Sequence, residues 1–134
     1  MSDFQNDIKI KSIRSYVSVD RFDRLSEKIY KTLQFMSAKK QSHFVKQILF
    51  HFFNNTIDKF EINQSDTYLQ TEKVLRSIRV GVTINADDIG YGDLFQMLIA
   101  IEKQKERNVY ISYTLFDALL AIHKLQDDVS LTAN

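Results

Sequence analysis

One ten-residue segment occurs twice in this chain. Lys11 to Asp20 reads KSIRSYVSVD and Arg76 to Asn85 reads RSIRVGVTIN, so at an offset of 65 Ser12 matches Ser77, Ile13 matches Ile78, Arg14 matches Arg79, Val17 matches Val82 and Val19 matches Ile84. Each copy alternates. Ile13, Ser15, Val17 and Val19 fall on one face of a strand and Arg14, Tyr16 and Ser18 on the other, and the second copy keeps the phase with Ile78, Val80, Val82 and Ile84 against Arg79, Gly81 and Thr83. A lone strand cannot satisfy its own ladder groups, and two partners are open to it: the other copy in the same chain, which permits a monomer, or the same copy of a second chain in a homodimer. Each copy closes on Asp20 or Asn85, residue types that cap helices, and two helical patterns follow each. The expectation is a mainly α chain with a short two-stranded antiparallel β-ribbon, built as strand-helix-helix twice about a pseudo-twofold axis.

The first helix is expected to open at Asp20, with Asp23 in a capping-box-like place and Phe22, Leu25, Ile29, Leu33 and Met36 as its apolar stripe. After the polar SAKKQ, Ser42 reads as the N-cap of a second helix whose Phe44, Val45, Ile48, Leu49, Phe52 and Phe53 form a wide apolar face. Gly90 and Gly92 push the start of the third helix to near Asp93, and EKQKERN reads as its polar end. Ser112 reads as the cap of the last helix, which carries Leu115, Ala118, Leu119, Ile122 and Leu125. Ser42 and Ser112 are 70 apart, which implies five residues added in the second copy. The chain therefore divides into an arm at 1–10, a first unit at 11–55, a linker at 56–75, a second unit at 76–128 and a tail at 129–134, with the two units forming one compact domain.

With 134 residues, 44% hydrophobic and 26% charged, the chain has the composition of a globular domain, and no apolar run reaches the eighteen or so residues of a bilayer span. The polar start is no signal peptide, and zero cysteines exclude disulfides and thiolate metal sites, so a cytoplasmic protein is expected. The net charge of +1 hides an asymmetry: residues 1–60 hold 11 Lys and Arg against 6 Asp and Glu, and residues 61–134 hold 7 against 11. The basic half is the natural partner of a polyanion. His43, His51 and His123 have no metal-site spacing, the adjacent pairs Asp87/Asp88 and Asp127/Asp128 cannot face one site, and no catalytic motif or phosphate-binding glycine loop occurs. No enzyme, no cofactor and no metal site is expected.

A ribbon with Arg14, Tyr16, Ser18, Arg79 and Thr83 on its open face has the width of the B-DNA major groove. At these residues the chain resembles the ribbon-helix-helix family, to which the Arc and methionine repressors belong, and its tandem form is similar to some relaxosome accessory proteins of conjugative plasmids. The resemblance implies base contacts from Arg14, Tyr16 and Ser18 in the first copy and Arg79 and Thr83 in the second. It also implies a phosphate held at the start of each second helix, by Ser42 and Ser112, and Lys11, Lys40 and His43 are placed to join them, with Lys9, Lys39 and Lys46 as further cations. Gly81 stands where a base reader would be. The function expected is sequence-specific double-stranded DNA binding in plasmid transfer or transcription control, with self-association along DNA or a protein partner in addition and no membrane. The alternative is an interaction or antitoxin-like module on the same scaffold without DNA binding.

Overall fold

The computed structural model describes residues 11–60 and 76–132. The arm at 1–10, residues 61–75 of the linker, Lys9 and the last two residues lie outside the described residues. In chain order the elements are β1 (Ser12–Asp20), α1 (Glu27–Leu33), α2 (Ala38–Phe53), a 3-10 turn (Ile57–Lys59), β2 (Ser77–Asn85), α3 (Gly92–Ala100) and α4 (Gln104–Thr132). The described residues are mostly helical, with one two-stranded antiparallel sheet among them. Among the described residues no helix is long and apolar enough to cross a membrane.

The strands pair within the chain, from Ser12 opposite Asn85 to Asp20 opposite Ser77. This register sets Tyr16 opposite Gly81, its own counterpart in the repeat. Ile13, Val17, Val19, Val80, Val82 and Ile84 are buried on one face, as the alternation requires. Ser15 shares that face, fully buried opposite Val82, and its hydroxyl has no hydrogen-bond partner among the described residues. One core joins these side chains to Ile29, Leu33, Val45, Ile48, Leu49, Leu94, Leu98, Ile111 and Leu119. The packing crosses the repeat. Helix α2 of the first copy lies chiefly against β2, and α4 of the second copy lies chiefly against β1.

Helix starts differ from the sequence expectation, and each difference has a local cause. Asp20 does not open α1: its Oδ1 accepts from the Phe22 amide (2.8 Å), and Asp23 Oδ1 accepts from the Leu25 (2.8 Å) and Ser26 (3.2 Å) amides. These turns hold the chain out of helix until Glu27. Helix α2 begins at Ala38, five residues before the expected first position, because Ser37 is extended (φ −65°, ψ 161°) and its Oγ accepts from the Lys40 amide at 3.4 Å. Ser42 is therefore an interior residue. Helix α4 begins at Gln104, so most of EKQKERN belongs to its first turns and not to the end of α3, which stops at Ala100. Ser112 is likewise interior and donates to the Asn108 carbonyl (2.7 Å).

With the observed starts, Ala38 corresponds to Gln104, an offset of 66 (104 − 38), and Ser42 corresponds to Asn108. One residue, not five, was added. A four-residue slip returns a helix to nearly the same face, so the buried set Val45, Ile48 and Leu49 matches Ile111, Thr114 and Leu115 or, one turn on, Leu115, Ala118 and Leu119.

Two backbone positions need their residue types. Asn55 ends α2 with φ 56°, a left-handed position that asparagine tolerates. Gly90 has φ 89°, and a Cβ there would strike the Phe50 ring. The turn before α3 thus lies on α2. Phe50 packs against Tyr91 (centroids 5.6 Å apart), Asn54 Nδ2 donates to the Gly90 carbonyl (3.1 Å), and Lys46 Nζ reaches Asp88 Oδ2 at 2.6 Å.

Candidate nucleic-acid interface

The side chains of β1 and β2 that alternate with the core form the ribbon's open face. There Arg14 runs across to the opposite strand. Its Nε donates to the Tyr16 hydroxyl (3.1 Å) and its Nη1 to Thr83 Oγ1 (3.0 Å). The guanidinium lies directly over Gly81, where any Cβ would collide with it. Gly81 is therefore no gap among the expected readers. It is the floor on which Arg14 rests, and this covering accounts for its burial.

Tyr16 stands at the centre of the ribbon with both arginines on its ring. The guanidinium carbon of Arg79 is 4.2 Å from the ring centroid and that of Arg14 is 5.3 Å from it. An arginine has five N–H donors, so the two bonds of Arg14 leave three for a ligand. Ser18, opposite Arg79 in the register, is exposed and completes the face. All five expected base readers share one surface.

Both outer edges of the ribbon are covered by helix side chains. On the β1 side, Asn108 Oδ1 accepts from the Tyr16 amide (2.9 Å), and Gln104 Nε2 donates to the Arg14 carbonyl (2.8 Å) and to Asn108 Oδ1 (2.9 Å). On the β2 side the Ser42 hydroxyl donates to the Gly81 carbonyl. Ser42 and Asn108, equivalent at offset 66, thus bond the equivalent residues Gly81 and Tyr16. An unpaired strand edge invites other strands, and these bonds occupy the middle of each edge.

The same bonds bring the starts of α2 and α4 against the ribbon. Arg14, Tyr16, Arg79, Val80 and Gly81 line a shallow cleft of about 330 Å³ with Ala38, Gln41 and Ser42 from the first turns of α2. Amides in a helix's first turn have no partner within the helix and face whatever lies beyond it. Of the expected phosphate contacts, Lys40 lies exposed in the first turn of α2 and His43 is exposed one turn on. Lys11 is exposed beside the ribbon, with its carbonyl accepting from the Ala86 amide (2.8 Å).

Ser42 and Ser112 are corrected as phosphate clamps, since neither stands at a helix start and each hydroxyl is donated to a backbone carbonyl. Lys46 is also withdrawn, because it pairs with Asp88 and lies over the Tyr91 ring (5.0 Å). The sequence reading missed Ser37 at the start of α2 and Lys103 and Lys105 beside the start of α4, all exposed. For Ser37 the signal was present: a serine heading AKKQ is as good a cap as Ser42.

The electrostatics away from the ribbon serve the fold. Burial raises the Asp88 carboxyl, but hydrogen bonds from Lys46 and from the Asn85 backbone and side chain outweigh it and hold the carboxyl below its ordinary value. Tyr91, buried and beside the Asp88 charge, is pushed up to about 12, and its hydroxyl donates to the Lys46 carbonyl (2.8 Å). Comparison of the chain with protein-family models, curated proteins and solved structures gives no match.

Proposed function

We propose that the protein is a tandem ribbon-helix-helix DNA-binding protein. Its two pseudo-twofold-related units lay the β1–β2 ribbon in the major groove of a specific duplex site, in plasmid transfer as a relaxosome accessory factor or in transcription control. The observation that carries this reading is the cluster of Arg14, Tyr16 and Arg79 on the open face of the ribbon, with the first turns of α2 and α4 on either side. A ribbon of this width enters the major groove, arginine is the commonest reader of base edges there, and helix starts with Lys39, Lys40, Lys103 and Lys105 meet the flanking phosphates. Phosphate contact makes affinity steeply salt-dependent, by about a thousandfold between 50 and 200 mM salt for about six contacts.

The test is binding of labelled duplex pools across that salt range. The reading requires a steep salt slope, sequence preference that survives at 150 mM salt, and weakened binding by Arg14→Ala. No duplex binding at 50 mM salt would refute it. A second reading, an interaction module that has no DNA face, is favoured by one observation: Val109, Tyr113, Phe116 and Leu120 of α4 form a stripe of exposed apolar side chains along a single helix face. Under that reading the apolar stripe, and not the arginines, governs assembly.

A further inference from the structure

The two reading arginines converge. In the register Arg14 and Arg79 sit on opposite strands, Arg14 opposite Thr83 and Arg79 opposite Ser18, four residues apart along the ribbon. Their side chains close that separation by leaning toward the Tyr16–Gly81 pair. With the guanidinium carbons 5.3 Å and 4.2 Å from one ring centroid, the two lie at most about 9.5 Å apart. Successive base pairs rise about 3.4 Å, so both guanidiniums stand within three steps of each other.

Each is also held in place. Arg14 is fixed by Tyr16 and Thr83 and seated on Gly81, with one Nη1 donor and both Nη2 donors left, which is enough for the paired acceptors O6 and N7 of a guanine without breaking either internal bond. Arg79 lies over Tyr16 with its guanidinium carbon 4.2 Å from the ring centre. At the Asp20–Ser77 end of the ribbon Arg21 and Arg76 also lie over one ring, that of Phe22 (5.6 and 5.9 Å), but there the Asp20 carboxylate stands 3.8 Å from Arg76 and offsets part of the charge.

Taking the DNA-reading function above as its premise, we infer that the target of this ribbon has a compact core of two guanines no more than three base-pair steps apart, one read by Arg14 and one by Arg79. Because the central pair is Tyr16 against Gly81, the two arginines do not occupy equivalent settings, and the two guanines contribute unequally.

The experiment is selection of duplexes from a random pool at 150 mM salt, followed by replacement of each guanine in the selected site by 7-deazaguanine, which removes the N7 acceptor and leaves base pairing intact. Expected is a loss of about fivefold or more in affinity at two positions within three steps, and little elsewhere. Arg14→Ala should make one of these positions indifferent to the replacement and Arg79→Ala the other, while each variant's salt slope falls by no more than about one phosphate contact's share. Selected sites without guanine, or sensitive guanines more than three steps apart, would overturn the guanine core while leaving DNA reading intact. Absence of salt-dependent duplex binding by the unaltered protein would overturn both.

Discussion

Gly81→Ala separates the role of Arg14 in the fold from the DNA contact proposed for it. The new Cβ meets the Nη2, carbon and Nε atoms of the Arg14 guanidinium, and its three nearest neighbours include no backbone atom. The obstacle is the far end of an exposed, flexible side chain, so Arg14 swings aside and forfeits its bonds to Tyr16 and Thr83. Two exposed hydrogen bonds are worth no more than about 1 kcal/mol together once solvent competes for the donors. Replacing glycine in a strand interior by alanine returns about 0.5–1 kcal/mol through the unfolded chain. The two effects nearly cancel, and the unfolding free energy from urea titration should move by less than about 1 kcal/mol. Duplex affinity, measured by anisotropy at 150 mM salt, should fall about fivefold or more, toward that of Arg14→Ala, because a displaced guanidinium no longer presents its donors to a base. The double variant should be no worse than Arg14→Ala alone, since both remove one contact. Destabilisation of about 3 kcal/mol or more would show that the Cβ meets something rigid and refute the packing. Unchanged affinity beside a weakened Arg14→Ala would refute the claim that the pose of Arg14 matters.

Ser15→Ala removes a fully buried hydroxyl that has no partner among the described residues, and should stabilise the protein by about 1 kcal/mol in urea or thermal unfolding; a loss of stability would show that the hydroxyl is satisfied. Asn108→Ala strips the acceptor from the Tyr16 amide and should cost about 1–2 kcal/mol, with faster hydrogen exchange at Tyr16 than at the ladder-bonded residues beside it. Asp88→Asn breaks the pair with Lys46 and should cost about 1–2 kcal/mol at pH 7. The folded carboxyl titrates below its unfolded value, so its contribution is complete above about pH 4 and is lost as pH falls through the folded value. Unfolding curves of Asp88→Asn and the unaltered protein should therefore differ at pH 7 and converge toward pH 3; a gap that stays constant would sink this assignment.

The repeat made the ribbon legible. Because KSIRSYVSVD and RSIRVGVTIN share one phase, the buried set Ile13, Val17, Val19, Val80, Val82 and Ile84 and the outward set Arg14, Tyr16, Ser18, Arg79 and Thr83 follow from a period of two, whereas the choice of partner within one chain is decided only by the structure. Helix faces were legible and helix starts were not. A period of 3.6 is nearly unchanged by a slip of four, so Ser112 and Asn108 fit the apolar pattern equally, and Ser42 competed with Ser37 for one cap. Asp20 and Asp23 looked like caps because the residues that start helices also make turns, and only the chain's path after β1 decides between them. The crossing of α2 onto β2 and α4 onto β1 lay beyond sequence reading, because an apolar face does not name its partner. The seat of Arg14 on Gly81 could have been anticipated, since the register that sets Tyr16 opposite a glycine leaves room beside the ring for a long neighbour.

That crossing gives the peptide link between the copies a thermodynamic role. A first copy severed from the second would lose the strand under its own α2 and the helix over its own β1, so neither half retains a complete interior. Two separate halves would have to find each other in solution, with a yield that depends on how much of each is present. Joined end to end, they meet at a fixed local concentration, and dilution leaves the folded fraction untouched.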